Sequence, residues 1–292
     1  MKRPLTCVNL NKAIVRLAGA GDPVRLSRAL ANVVVGQMLP DGVVKGGSSL
    51  LFRYGTGSTR YTRDVDTARA TDPEEYRTQL ARALASGWNG FTGRLVDVPR
   101  RLPKNVPGEY VMVPYDIKLD YRGRPWQTVR VEVGHNEIGD ADEFEELLPD
   151  ELGDAFEWLG FPRPKPVRVM KLAFQVAQKL HAVSAPGSER AHDLVDLQLM
   201  VARSSLDLAD IRAKCRRLFA YRKRQVWPPT IVAGPEWGSA YEAALETMQD
   251  KSGILPAIDE AVAWANDLIA RIIATSAPPQ SDTTYLQPKN HP

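Results

Sequence analysis

The chain has 292 residues, of which 43% are apolar and 25% charged, enough for one large domain or two ordinary ones with proper cores. A formal charge of +3 is mildly basic, so it permits a polyanionic partner without requiring one. Cys7 and Cys215, far apart, exclude a disulfide framework and a thiolate metal site, and no run reaches the ~20 apolar residues of a membrane helix.

Basic residues open the chain, but Asn9, Asn11 and Lys12 interrupt any apolar run, so no secretory signal is read and a cytoplasmic protein is expected. Apolar residues at Ile14, Leu17, Leu26, Leu30 and Val34 predict helix over 9–36, with Asp22-Pro23 as a helix start. Gly42–Lys45 reads as a strand ended by Gly46-Gly47, and Ser48 as the cap of a following helix. A strand over 60–68 and a helix over 73–88 come next, then a Pro-rich basic insertion at 98–107. Two β-rich runs, 110–120 and 128–133, are joined by the turn signal Arg122-Gly123-Arg124. The proline-rich stretch 161–166 reads as a linker. Beyond it, helices are expected over 167–184, 191–204, 207–222, 236–249 and 254–274, with 276–292 a loose tail. The expected architecture is α/β, or α+β: a catalytic lobe over 1–160 followed by an all-helical lobe over 167–275.

Asp64-Val65-Asp66 lies on a predicted strand, where residues two apart share a face about 7 Å apart along the chain. Such a pair suits joint coordination of Mg²⁺, which takes oxygen ligands and leaves room for phosphates. Alone the pattern is weak, and a second Asp-x-Asp, Asp140/Asp142, sits in an acidic stretch that reads as a solvated loop. Upstream, Lys45-Gly46-Gly47-Ser48 forms a strand-to-helix turn whose free amides attract phosphate; by itself it is equally a tight turn needing positive φ. Glu132, mid-strand among valines, is placed to be a third acid, since an unpaired carboxylate there is costly to bury.

The runs Lys45-Gly-Gly-Ser-Ser and Arg60-Tyr-Thr62-Arg-Asp64-Val-Asp66 resemble the signature of AbiEii/AbiGii-type (MenT-like) nucleotidyltransferase toxins, members of the DNA polymerase β-like superfamily. So do Gln178-Lys179-Leu180-His181-Ala182 and Arg190-Ala-His-Asp193-Leu-Val-Asp196-Leu, in the right order over about residues 40–200. The resemblance implies a polymerase β-like lobe with a mixed sheet. It implies that Asp64 and Asp66 hold the metals with Glu132 as third acid, and that Gly46, Gly47 and Ser48, next to Lys45, cradle the triphosphate. Thr62 matches the family's hydroxyl residue, Lys179 would contact the nucleotide phosphates, and Asp193 would complete the site. The chain departs in having glutamate as third acid, His192 before the later aspartate, and the 98–107 insertion.

On a helix, Leu172, Val176, Leu180 and Val183 form an apolar stripe with Lys179 at its margin, placed to snorkel into the interlobe cleft; an ordinary edge lysine is the alternative. Asp193 and Asp196 share a helix face, Asp193 taken as functional and Asp196 as structural, with the reverse order left open and a cap plus a surface ion pair as the other alternative. Lys214, Arg216, Arg217, Arg222, Lys223 and Arg224 interleave with Phe219, Tyr221 and Trp227, which reads either as an RNA-binding patch or as a solvated helix face with aromatics inward. The resulting expectation is a toxin of a toxin–antitoxin system that uses Mg²⁺ (or Mn²⁺) and an NTP to transfer NMP to an RNA acceptor, a tRNA 3′ end. A cognate antitoxin is the expected protein partner, with no membrane involved. The rivals are transfer to a protein hydroxyl or a small molecule such as an aminoglycoside, and a non-catalytic nucleotide-binding module.

Overall fold

The computed structural model describes residues 2–99 and 111–275; most of the 98–107 insertion and the whole 276–292 tail lie outside them. Helix α1 (Cys7–Ala18) and helix α2 (Pro23–Gly36) replace the single stretch expected over 9–36. Gly19 and Gly21 interrupt it, and Asp22 restarts it by accepting from the amides of Val24 and Arg25. Strand β1 (Gly42–Lys45) runs directly into α3 (Gly46–Ser58), and β2 (Asp64–Arg69) starts four residues later than expected. Helix α4 (Pro73–Ser86) is followed by β3 (Phe91–Asp97), a strand not expected from the sequence.

Strands β4 (Val113–Tyr121) and β5 (Arg124–Gly134) form a hairpin closed by Arg122 (φ 49°) and Gly123 (φ 74°). Two positive φ angles in a two-residue loop match the right-handed twist of the flanking strands. Then come β6 (Phe144–Leu147), α5 (Asp150–Trp158) and β7 (Val167–Met170). The segment 167–170, expected as the start of a helix, is thus a strand. The chain ends in α6 (Leu172–Val183), α7 (His192–Arg203), α8 (Leu208–Arg222), α9 (Trp237–Glu246) and α10 (Ile258–Ala274).

Among the described residues, the strands join one seven-stranded mixed sheet in the order β3-β4-β5-β2-β1-β7-β6. At its centre β2 runs parallel to β5 and antiparallel to β1, while β1 is parallel to β7. One face, with Val44, Val65, Val129, Val131 and Ile117, packs into a core with α1, α2, α4 and α5. A second core gathers α6 to α10 and takes Leu50 from α3, whose neighbour Leu51 belongs to the first core. Helix α3 therefore ties the two together. Among the described residues no helix is long and apolar enough to cross a membrane.

Candidate active site

Alternation along β2 and β5 sends Val65, Val129, Val131 and Val133 into the first core and leaves Asp64, Asp66, Arg130 and Glu132 on the opposite face. A one-residue slip would drive the acids into that core, so the burial of the valines fixes the register. In this register Lys45 is the Cα partner of Asp66, and Asp66 of Glu132, so the three form a row across β1, β2 and β5. Asp64 lies one step along beside Arg130, whose Nε donates to Asp116 Oδ1 at 2.7 Å.

Burial pushes the Asp66 carboxyl above its ordinary range and Asp64 adds to this, while Lys45 and Arg190 oppose it. Glu132 is likewise raised, by burial and then by Asp66 and Asp64, against Arg130 and Lys45. Crowded carboxylates of this kind call for added positive charge. Among the described residues, no three acid, His or Cys side chains are already drawn into a metal-holding cluster. The fit to a hard divalent cation lies in the donor set, three carboxylates on neighbouring positions of one sheet face.

The turn beside this row is built close. Gly46 has φ 64°, and a Cβ there would stand 2.2 Å from Asp66 Oδ2. A Cβ on Gly47 would come within 3.1 Å of Thr62 Oγ1, which places Thr62 against the first turn of α3. Helix α3 begins at Gly46, so Ser48 lies inside the first turn and is not its cap. The buried Ser48 hydroxyl donates to the Asp64 carbonyl at 2.6 Å, anchoring the start of β2 to α3, and so is not turned toward a phosphate. The amides of the α3 N-terminus remain the phosphate-attracting feature of this turn.

Lys45 is 9% exposed, and its side chain makes no hydrogen bond or ion pair among the described residues. A Cβ on Gly134 would lie 2.9 Å from its Nζ, so the ammonium reaches across the row to the end of β5. Lys179 behaves differently. Expected at the margin of α6 and free to snorkel, it is buried, and its Nζ donates to Asp193 Oδ1 at 2.8 Å and Asp196 Oδ2 at 2.6 Å. Two carboxylates from α7 hold it in place.

Those aspartates are the hub of a larger network. Arg60 donates from Nε and Nη2 to both oxygens of Asp196, each at 2.9 Å, and Arg190 Nε donates to Asp193 Oδ2 at 2.6 Å. Although burial opposes their charge, Lys179 and Arg190 hold Asp193, and Arg60 and Lys179 hold Asp196, below the usual carboxylate range. Neither acid is part of a surface ion pair. Arg190 and Arg60 carry no assignment from the sequence, although both stand inside the quoted motifs. Arg190 lies just ahead of α7, three residues before Asp193, close enough to reach back onto it.

Arg190 also lines a cleft of about 930 Å³, together with Met112, Gly134, Glu137, His181 and the end of α8. The cleft thus abuts the end of β5, two residues beyond Glu132. The patch on α8 divides. Lys214 pairs with Glu143, Phe219 is buried, Arg217 donates to the Ile138 carbonyl, and Arg222 forks onto Glu137, whereas Arg216, Lys223 and Arg224 stay exposed. Asp140 overturns the solvated-loop expectation: it is fully buried, accepting from the Glu137 amide at 2.8 Å and from Gln178 Nε2 at 2.6 Å.

A family model described as the nucleotidyl transferase AbiEii toxin of type IV toxin–antitoxin systems matches residues 26–264 of this chain. The nucleotidyltransferase toxin MenT4 of Mycobacterium tuberculosis H37Rv is similar in structure, with a TM-score of 0.53 and 19% identity over 94% of this chain and 91% of its own. JHP933 of Helicobacter pylori covers 84% of this chain and 88% of its own at 15% identity, with a TM-score of 0.43. No curated protein is matched.

Proposed function

Because the chain belongs to the AbiEii nucleotidyltransferase toxin family, we propose that it transfers a nucleoside monophosphate from an NTP to an RNA 3′ hydroxyl. A tRNA end is the acceptor, translation stops as a result, and a cognate antitoxin counters the effect. What supports this is the row Lys45–Asp66–Glu132, with Asp64 one step along, set against the close Gly46 bend.

Asp64, Asp66 and Glu132 would hold Mg²⁺ or Mn²⁺, which when bound neutralises the triphosphate and the leaving pyrophosphate. The amides of Gly46 and Gly47 present donors to phosphate oxygens at the positive end of α3. Lys45, nearly buried and unpaired among the described residues, brings a cation to the same place without first breaking an ion pair. Arg190, held by Asp193, faces the cleft and adds a second. Lys179 acts one layer back, holding Asp193 and Asp196. The acceptor hydroxyl gives up its proton to solvent as its oxygen bonds to the α-phosphorus, the bond from that phosphorus to the bridging oxygen breaks, and pyrophosphate leaves. Alignment and charge neutralisation supply most of the acceleration.

The test is to incubate the purified protein with Mg²⁺, each α-labelled NTP in turn, and either total tRNA or lysate protein. Label should pass to the tRNA 3′ end, and chelation should stop it. Asp64→Ala should lower transfer by at least about a hundredfold with an unchanged circular dichroism spectrum. Full transfer by that variant would remove this site from the reaction, and label on protein alone would replace the acceptor.

A further inference from the structure

The end of α8 carries more positive charge than the fold uses. Arg222, in the last turn, offsets the negative end of the helix and is paired with Glu137. The side chains of Arg216, Lys223 and Arg224 are exposed and make no hydrogen bond or ion pair among the described residues. They border a cavity of about 550 Å³ that also has Phe219, Gln225 and Trp227 in its wall. That is room for a nucleotide-sized ligand. Lys223 and Arg224 line the 930 Å³ cleft as well, so the two spaces share a ridge. The ridge exists because Lys223, at φ 53°, ends the helix in a left-handed turn.

Beside its cations the cavity wall has a flat apolar part. Trp227 packs edge-on against Phe219 with ring centroids 5.2 Å apart, which fixes the indole in place. Gln225 Nε2 donates to the His181 carbonyl at 2.8 Å and meets Ser184 Oγ at 2.6 Å. A carbonyl can only accept, so the amide cannot be turned round. Its Oε1 is buried without a partner and closed to solvent, so the amide serves to tie the end of α8 to α6. Unpaired cations beside an aromatic ring are what a base and its phosphate require.

We infer that this cavity is a subsite for a nucleotide upstream of the reacting end of a single-stranded RNA acceptor. Its base lies against Trp227, and its phosphates follow Lys223 and Arg224 over the ridge. The 3′ hydroxyl then descends into the cleft beside Glu132. The inference rests on RNA being the acceptor, as proposed above.

The triple variant Arg216→Ala/Lys223→Ala/Arg224→Ala changes only exposed side chains. The KM for tRNA should rise at least about tenfold, while the KM for NTP and kcat stay within about twofold, and RNA affinity should depend less steeply on salt. In parallel, tRNA carrying 4-thiouridine within the last few 3′ nucleotides should crosslink to the peptide spanning 216–227. An unchanged KM for tRNA, or crosslinks confined to other peptides, would overturn the subsite while transfer to RNA persists. Absence of transfer to RNA in the wild-type protein would instead remove the acceptor on which it rests.

Discussion

Gly46 shows how much one residue can decide. Its φ of 64° costs an L residue about 1–2 kcal/mol, and any Cβ would stand 2.2 Å from Asp66 Oδ2. Gly46→Ala should therefore displace that carboxylate and cut transfer about a hundredfold, a loss out of proportion to its small effect on melting temperature. Label transfer and a thermal melt of the same preparation check this; a fully active alanine variant would break the link between the bend and Asp66.

Asp140 supplies a pH test. Burial pushes its carboxyl up to about 7, outweighing the favourable Lys45 charge, whereas in the unfolded chain it titrates near about 3.9. Between these values the unfolded state has released a proton that the folded state retains. Raising the pH through that window lowers stability, and above about 7 the penalty is complete. Asp140→Asn removes the titration, so its stability relative to the wild type should rise from about pH 4 to 7 and then level off. Urea midpoints of both proteins across that range give the comparison, and parallel curves would contradict it.

At the scale of elements, α6 and α7 are joined by buried charge as well as apolar packing. Lys179 reaches from α6 to two acids of α7, and Arg60, just before β2, reaches the same helix. Removing one member of a buried ionic network leaves the others uncompensated, at about 3–5 kcal/mol. Lys179→Ala should lose that much stability in urea denaturation, along with activity. A variant within about 1 kcal/mol of wild type, yet inactive, would restore Lys179 to direct contact with substrate. The helical stripe that placed Lys179 at its margin was correct as a pattern; it gave no sign of the carboxylates waiting on another helix.

Two strands missed from the sequence share a cause that does not extend to helix α5, which was also not expected. Strands β3 and β6 are the two edges of the sheet, and edge strands need less apolar alternation than central ones. In β6, Phe-Glu-Glu-Leu carries almost no pattern. Val-Arg-Val-Met of β7 continues into α6 through one lysine, and so short an apolar run reads equally well as helix or strand. Its pairing with β1 and β6 decides the matter. Ser48 was misread for a similar reason: serine near a helix start usually caps, but here the Asp64 carbonyl takes its proton.

Over the whole molecule, α3 joins two of the three apolar clusters of the described residues, and the acidic row of the sheet lies two residues from the cleft bounded by the α6–α7 connection and the end of α8. The amino-acid sequence by itself determined the element types of the central strands and long helices, the mixed α/β class, the family, and the presence of Asp64, Asp66 and Glu132 on strands. These follow from local periodicity and from motifs that stay intact along the chain. Only the tertiary structure decided which cations are spent on other acids and which remain open. It buried Asp140, locked Lys179 between two aspartates, and left Lys45 unpaired among the described residues. A charged side chain's partner comes from segments distant in sequence, and its electrostatic worth depends on what shares its burial, so neither is written in local pattern.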